Sequence, residues 1–180
     1  MEVKQAVSQR RSIRKYKDRP VEEEKIINLL DSARLAPTGS NTQSGVFIVV
    51  QSKEMREKIA HVSHKQLWMA NAPLFVVCVA DIRARIPDGE LNLDETSPQL
   101  ELKQCIRDVA IQTEHMVLTA QELGLSTCWI GWYNQEEIRL VLGIPSDKYV
   151  VSVLIVGYGD ENPSPRPRKH LEEIVRYEKW

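Results

Sequence analysis

The apolar residues of this chain fall into two kinds of block. In 21–36, VEEEKIINLLDSARLA, Ile26, Leu29, Leu30 and Ala33 recur at steps of three and four, the spacing of one helical face. The acidic residues at its start sit where a helix N-terminus favours them, and Pro37 and Gly39 stop the run. Residues 101–124 predict the longest helix, with Leu102, Ile106, Val109, Thr113, Met116, Ala120 and Leu123 along one face and Gly124 placed to cap its end. A shorter helix is expected over 134–143, capped by Asn134 and ended by Gly143. The stretch VKQAVSQRRS predicts a first helix ending near residue 12, and HLEEIVRYEKW a last short one.

Continuous apolar runs, rich in β-branched residues, mark strands instead. VFIVV at 46–50 reads as a buried strand, LFVVCVA at 74–80 as a second, STCWIG at 126–131 as a third and YVVSVLIVGYG at 149–159 as a fourth. Residues 83–98 have no period, carry Pro87, Gly89 and Pro98, and read as a long loop of the kind that is usually functional. The order (helices, two strands, long helix, strand, helix, strand, tail) predicts a mixed sheet with helices packed on it in one domain spanning 1–180. No GxGxxG follows a predicted strand and no GxxxxGK[ST] occurs, so neither a Rossmann dinucleotide site nor a P-loop is expected.

Composition narrows the class. With 42% hydrophobic and 27% charged residues the chain reads as an ordinary soluble protein, and a formal net charge of -1 argues against a dedicated nucleic-acid binder. Cys78, Cys105 and Cys128 have neither metal-ligand nor disulfide-framework spacing, which suits the reducing cytoplasm. No apolar run is long enough for a membrane span, and no signal peptide is expected.

Charge is nevertheless concentrated at two places. SQRRSIRKYKDRP (8–20) holds six Arg or Lys residues, and NPSPRPRKH (162–170) repeats the concentration near the other end. Two readings of the first cluster fit. It is a solvated helix end, where basic residues are favoured, or it is a phosphate site in which Arg10 and Arg14, four apart, share one helical face with the Ser12 hydroxyl between them. A phosphate monoester carries about two charges and calls for several charge-assisted donors. In the second cluster, prolines hold the chain extended, so Arg166 and Arg168 project to the same side as a fork, with a nucleic-acid or nuclear-localisation arm as the competing reading. Between the clusters lies APTGSNTQSG (36–45), either a plain helix-to-strand turn or a recognition loop. The carboxamides of Asn41 and Gln43 match the alternating acceptor and donor groups of a flavin's pyrimidine edge.

Four motifs in this order, RRSIRKY, APTGSNTQ, ELGLSTCWIG and VGYGDENPSPRPRK, make the chain resemble the FMN-dependent nitroreductase family over residues 10–170. The resemblance implies an α+β fold with a central, mostly antiparallel sheet of about four strands flanked by helices. It implies a homodimer with the flavin at the subunit interface and exchange of the C-terminal extension, 160–180, onto the partner. It also implies tightly bound FMN, NAD(P)H as co-substrate, and two-electron, ping-pong transfer to a nitroaromatic, a quinone or a related small-molecule acceptor, with no nucleic-acid or membrane partner. Arg10, Arg11, Ser12, Arg166 and Arg168 then meet the FMN phosphate, while Arg14 approaches the N1/O2 edge, where a cation raises the two-electron potential. Pro37, Thr38, Gly39, Asn41 and Gln43 reach the flavin of the neighbouring subunit, Gln66 touches the pyrimidine ring, and Ile130, Gly131 and Trp132 present backbone to its N5/O4 side.

No catalytic side chain or metal ligand is expected. His115 reads as structural, whereas His61 and His64 are placed near a loop before the second strand. Tryptophans are core or interface residues by default, with Trp132 the expected pocket wall. The chain departs from the family in reading NTQSG for NxQPW and in placing Trp132 where a second small residue is common. Residues 83–98 would form a reduced, pocket-covering loop. A dehalogenase, flavin-fragmenting or azoline dehydrogenase activity on the same scaffold, and a non-catalytic flavin-binding module, are the alternatives.

Overall fold

The computed structural model describes residues 2–94 and 96–180; Met1 and Glu95, the latter inside the loop expected over 83–98, lie outside them. Four strands form one sheet: β1 (Gly45–Val50), β2 (Leu74–Asp81), β3 (Ser126–Ile130) and β4 (Lys148–Gly157), in the order β1-β2-β4-β3. All three pairings are antiparallel, so the sheet is not mixed. The long central strands explain this. β2 and β4 run side by side from Leu74↔Val156 to Asp81↔Lys148, with one irregularity at Cys78/Val79, and each edge strand simply continues the alternation.

Helices cover both faces. On one, α2 (Glu23–Arg34) and α4 (Leu100–Glu122) bury Ile26, Leu29, Leu102, Val109 and Met116 against Leu74, Val76, Cys78, Leu154 and Val156. On the other, α3 (Lys53–Val62) and α5 (Gln135–Leu142) pack Ile59 and Ile138 on Phe75, Val77, Val153 and Ile155. β2 alternates between the two cores, which is why its apolar run is unbroken. Each such side chain, fully buried, contributes about 1.5–3 kcal/mol.

Local signals agree with these boundaries. Ser52 caps α3 through Met55 N, and the Asn134 side chain accepts from the amides of Glu136 and Glu137 at the start of α5. Gly143 ends α5 in the left-handed conformation, φ 64°. A last turn, α6 (Leu171–Ile174), sits in the tail.

Three expectations change. The first helix, α1 (Val3–Gln9), stops at Gln9, and Arg10 is extended at ψ 143°, so Arg10 and Arg14 do not share a helical face. α3 was not expected at all, and His61 belongs to its last turn rather than to a loop. β1 is not a buried strand: it is a sheet edge with Val46 and Val49 exposed. Trp129 and Trp180 are exposed on the single protomer, and so is Trp132, the expected pocket wall. Past the short turn Ile82–Ala84, the loop packs Ile86, Leu91 and Leu93 on the α2/α4 core. Among the described residues no helix is long and apolar enough to cross a membrane.

Candidate functional site

The two arginine clusters meet because the chain after α1 is zipped to the end of the sheet where β3 begins and β4 finishes. Ile13 N–H donates to the Thr127 carbonyl of β3 at 2.9 Å, and Lys17 N–H donates to Tyr158 O just after β4 at 2.8 Å. Asp160 N–H returns a bond to Lys15 O at 2.9 Å. Ile13 and Tyr16 are the buried anchors of this segment, and the Tyr16 hydroxyl closes it onto the Ile13 carbonyl. The Glu161 carboxylate then accepts from the backbone amides of Arg14 at 2.5 Å and Lys15 at 3.2 Å. With residues 13–17 held against 158–161, whatever precedes Ile13 and follows Glu161 is brought to the same side.

The result is a cavity of about 710 Å³ lined by Arg10, Arg11, Ser12 and Arg14 from the first cluster, Arg166 and Arg168 from the second, and by Val7, Ser8 and residues 163–165. Arg11 and Arg168 turn back to donate to carbonyls of their own turns, Ser8 and Arg10 for the former and Arg166 and Pro167 for the latter. Among the described residues none of the five guanidinium groups is ion-paired to a carboxylate. Five positive charges around one cavity, with donors to spare and no carboxylate ion-paired to their guanidinium groups among the described residues, are the donor set an anionic phosphoryl group calls for.

From this pocket a series of contacts leads to an aromatic shelf. Arg14 lies over the ring of Trp68, 5.9 Å from its centroid. Trp68 belongs to the turn Leu67–Asn71, which the Arg56 guanidinium of α3 fastens by donating to the carbonyls of Ala70 and Ala72. Gln66, at the head of that turn, donates its carboxamide N–H to Ser63 O and to Trp132 O, both at 3.0 Å. Trp132 is 65% exposed and stacks on His64, ring centroids 4.3 Å apart. His64 and Lys65 are both left-handed, at φ 50° and 57°, a conformation that costs a non-glycine residue on the order of 1–3 kcal/mol and that collects at functional sites. Ile130 is buried at the end of β3, so Gly131 and Trp132 are the first exposed residues beyond it.

Pro37, Thr38, Gly39 and Asn41 line neither this pocket nor a second, smaller one; they form a separate exposed loop. Ser40, Asn41 and Gln43 are left-handed at φ 54°, 54° and 48°. The Thr38 hydroxyl accepts from Gln43 N, and below the loop the Asp108 carboxylate of α4 accepts from Gly39 N at 3.0 Å. Gln43 borders the second cavity, of about 190 Å³, with Gly45 and Gln112; a Cβ on Gly45 would lie 2.0 Å from the Gln112 Oε1, so the glycine is what lets that side chain in.

The thiols take no part. Burial pushes Cys78 up to about 11 and also raises Cys105 and Cys128, the last against the opposing pull of Arg14. His115 ties α4 to α2 by donating from Nδ1 to Ser32 O at 3.3 Å, a structural role. Sequence reasoning passed over Glu161, Trp68, Ser8 and Asp108. Only Asp108 carried a signal, as a carboxylate inside the apolar stripe of the longest helix.

A family model for the nitroreductase family matches residues 7–158. A provisionally named NADH dehydrogenase/NAD(P)H nitroreductase of Methanothermobacter thermautotrophicus is 34% identical, over all of this chain and 88% of its own length. FMN reductase [NAD(P)H] of Bacillus subtilis is 29% identical over 99% of this chain and 74% of its own length. The solved structure of an FMN-dependent nitroreductase from Clostridium difficile, 29% identical, superposes with a TM-score of 0.81 over 97% of this chain and 98% of that one.

Proposed function

The chain belongs to the nitroreductase family, and from that premise we propose that it is an FMN-dependent NAD(P)H oxidoreductase that passes two electrons to a nitroaromatic, quinone or related small acceptor. The observation that carries this reading is the convergence of Arg10, Arg11, Arg14, Arg166 and Arg168 on one cavity. FMN ends in a phosphate monoester, and five guanidinium groups beside a serine hydroxyl fit it.

When bound, FMN supplies the two-electron carrier chemistry between NAD(P)H and the acceptor. The protein's part is to bind, orient and tune. Arg10, Arg11, Ser12, Arg166 and Arg168 neutralise the phosphate. Arg14, held over the Trp68 ring, would approach the ring system and favour its reduced, negatively charged form. Gln66 holds the Trp132 carbonyl, so the backbone at Ile130, Gly131 and Trp132 is a fixed edge, and the Trp132 and His64 rings wall the space in front of it. Donor and acceptor take turns in that space, a ping-pong cycle, and no side chain acts as nucleophile or dedicated acid.

The working unit is a homodimer. Pro37, Thr38, Gly39, Asn41 and Gln43 serve the partner's flavin, which accounts for their absence from the lining of their own protomer's arginine pocket. Leu35, Val46 and Ile111 are exposed apolar residues around that loop, and Leu171, Ile174, Tyr177 and Trp180 make the tail apolar and exposed; a partner covers both. Arg85 sits beside the same loop, and the stretch that follows it would cover the shared pocket in the dimer. The three free, buried thiols fit a cytoplasmic setting.

The test is an absorption spectrum of the purified protein with identification of the released cofactor, followed by stopped-flow mixing with NADH and NADPH. Flavin bands, FMN on release and fast bleaching by a nicotinamide are expected. A colourless protein that takes up no added FMN sinks the reading.

A further inference from the structure

Beneath the exposed 37–43 loop lies an ion pair between the end of the β2 strand and the long helix. Arg85, just past the end of β2, donates from Nη2 to Asp108 Oδ2 at 2.7 Å and to the Gly39 carbonyl at 3.0 Å; Asp108 Oδ1 in turn accepts from Gly39 N–H at 3.0 Å. Both sides of one residue's backbone are thus held by one buried pair, whose side chains are only 11% and 9% exposed. Asp108 occupies a place in the apolar stripe of α4 between Cys105 and Val109, where a hydrophobic residue would stabilise the helix packing at least as well. A buried pair kept at such a position is best explained by the geometry it enforces.

That geometry is specific. A Cβ on Gly39 would meet Arg85 Nη2 at 2.6 Å, so an added methyl must displace the guanidinium from its place on the Gly39 carbonyl. Directly after it come the left-handed Ser40 and Asn41, then Gln43, with their side chains exposed. Among the described residues these carboxamides make one long contact, Gln43 Nε2 to Asn41 O at 3.5 Å, and both side chains are exposed.

We propose that Arg85 and Asp108 are positioning residues that hold residues 37–43 in the one conformation in which a second copy of this chain receives their amide and carboxamide groups at its flavin. The inference rests on the FMN reading above and on the loop serving the partner's site. The pair touches neither flavin nor substrate; it acts through the Gly39 backbone.

The test uses the full-length protein. Asp108→Asn, Arg85→Lys, Arg85→Met and Gly39→Ala are compared with the parent for FMN affinity by fluorescence titration, two-electron reduction potential, mass in solution and melting temperature without FMN. Asp108→Asn and Arg85→Met are expected to weaken FMN by up to about 100-fold, the scale of an ångström-level displacement of a binding group, and to shift the potential at unchanged mass. Arg85→Lys, which keeps a cation and its donors, recovers most of that loss. Gly39→Ala leaves both ionic groups in place and reproduces the weakening, so the test stands even where Asp108→Asn does not fold. Unchanged affinity and potential in Gly39→Ala and Arg85→Met, with only a lower melting temperature, overturn the proposal and leave the pair a structural one. A parent protein that binds no FMN overturns the functional reading itself, and this inference with it.

Discussion

The His64 imidazole lies flat against the indole of Trp132, the planes 22° apart. Neither residue is placed there by regular structure. His64 follows α3 in a left-handed turn, Trp132 follows β3, and the Gln66 carboxamide ties the two segments by bridging Ser63 O to Trp132 O. An indole that is mostly exposed is thereby denied free rotation, and the space in front of it keeps a fixed shape.

Removing the support should therefore change acceptor preference more than turnover as such. His64→Ala is expected to lower kcat/KM for a planar two-ring quinone by about two- to tenfold, the worth of one aromatic stacking contact. Ferricyanide, which needs no flat wall, should be unaffected. Steady-state kinetics with the two acceptors decide it, and an equal loss with both speaks against a wall.

The arginine pocket predicts a phosphate-specific loss. Arg10→Gln or Arg168→Gln should each weaken FMN by about 10- to 100-fold, the span of a charge-assisted bond worth roughly 1.5–3 kcal/mol. Riboflavin, which lacks the phosphate, should bind parent and variants alike. Fluorescence titration of both ligands reads the difference, and a parallel loss of riboflavin affinity would place these arginines elsewhere on the cofactor.

An acid-side dependence follows from the seam between α2 and the end of β4. The Tyr158 hydroxyl donates to Glu22 Oε2 at 2.5 Å, and Arg19 donates to Oε1 at 2.6 Å while stacking on the Tyr158 ring. The Tyr158 bond first, then the backbone and Arg19, hold the Glu22 carboxyl down at about 2. Because the folded value lies below the unfolded one, the stabilisation is complete above the ordinary carboxyl range and is lost as pH falls towards 2. Tyr158→Phe should lower Tm at pH 7, and the gap to the parent should close on acidification below about 4.5. A gap independent of pH rejects the linkage; an NMR titration of Glu22 reads it directly.

All three thiols are buried, and Cys78 is held up to about 11 by its burial. A thiol reagent at pH 8 should find none of them in the native protein and three after denaturation. Rapid native labelling of any one would mean that its surroundings open.

Much of this was legible in the residues because it is local. The helical period in 21–36 and 101–124, the caps at Asn134 and Gly143 and the unbroken apolar runs of β2 and β4 act over a few residues. The two arginine clusters were legible as charge, and their meeting was expected from the family resemblance. The cause of the meeting was not legible, since it depends on Ile13 reaching Thr127 and on Glu161 reaching the amides of residues 14 and 15. α3 was missed because Lys53–Val62 is largely polar and buries fully only Ile59 and Ala60, too few for a clear period. β1 looked buried because an apolar run records hydrophobicity but not which face a neighbouring element leaves open. Asp108 and Gln112 were the readable exception: polar residues interrupting a hydrophobic stripe ask for a partner, and Asp108 finds Gly39 and Arg85.

Half of the arginine pocket is carried by a stretch that owns no interior. Within one protomer residues 162–180 are exposed throughout, so Arg166 and Arg168 are anchored by what fills the pocket together with the partner that covers the tail. Loading the pocket and pinning the C-terminus are then one equilibrium, and a ligand at a hundred times its Kd fastens the arm by about 2.7 kcal/mol. Trypsin, cutting after Arg168 or Lys169, should then clip the arm of the dimer more slowly as the pocket is filled.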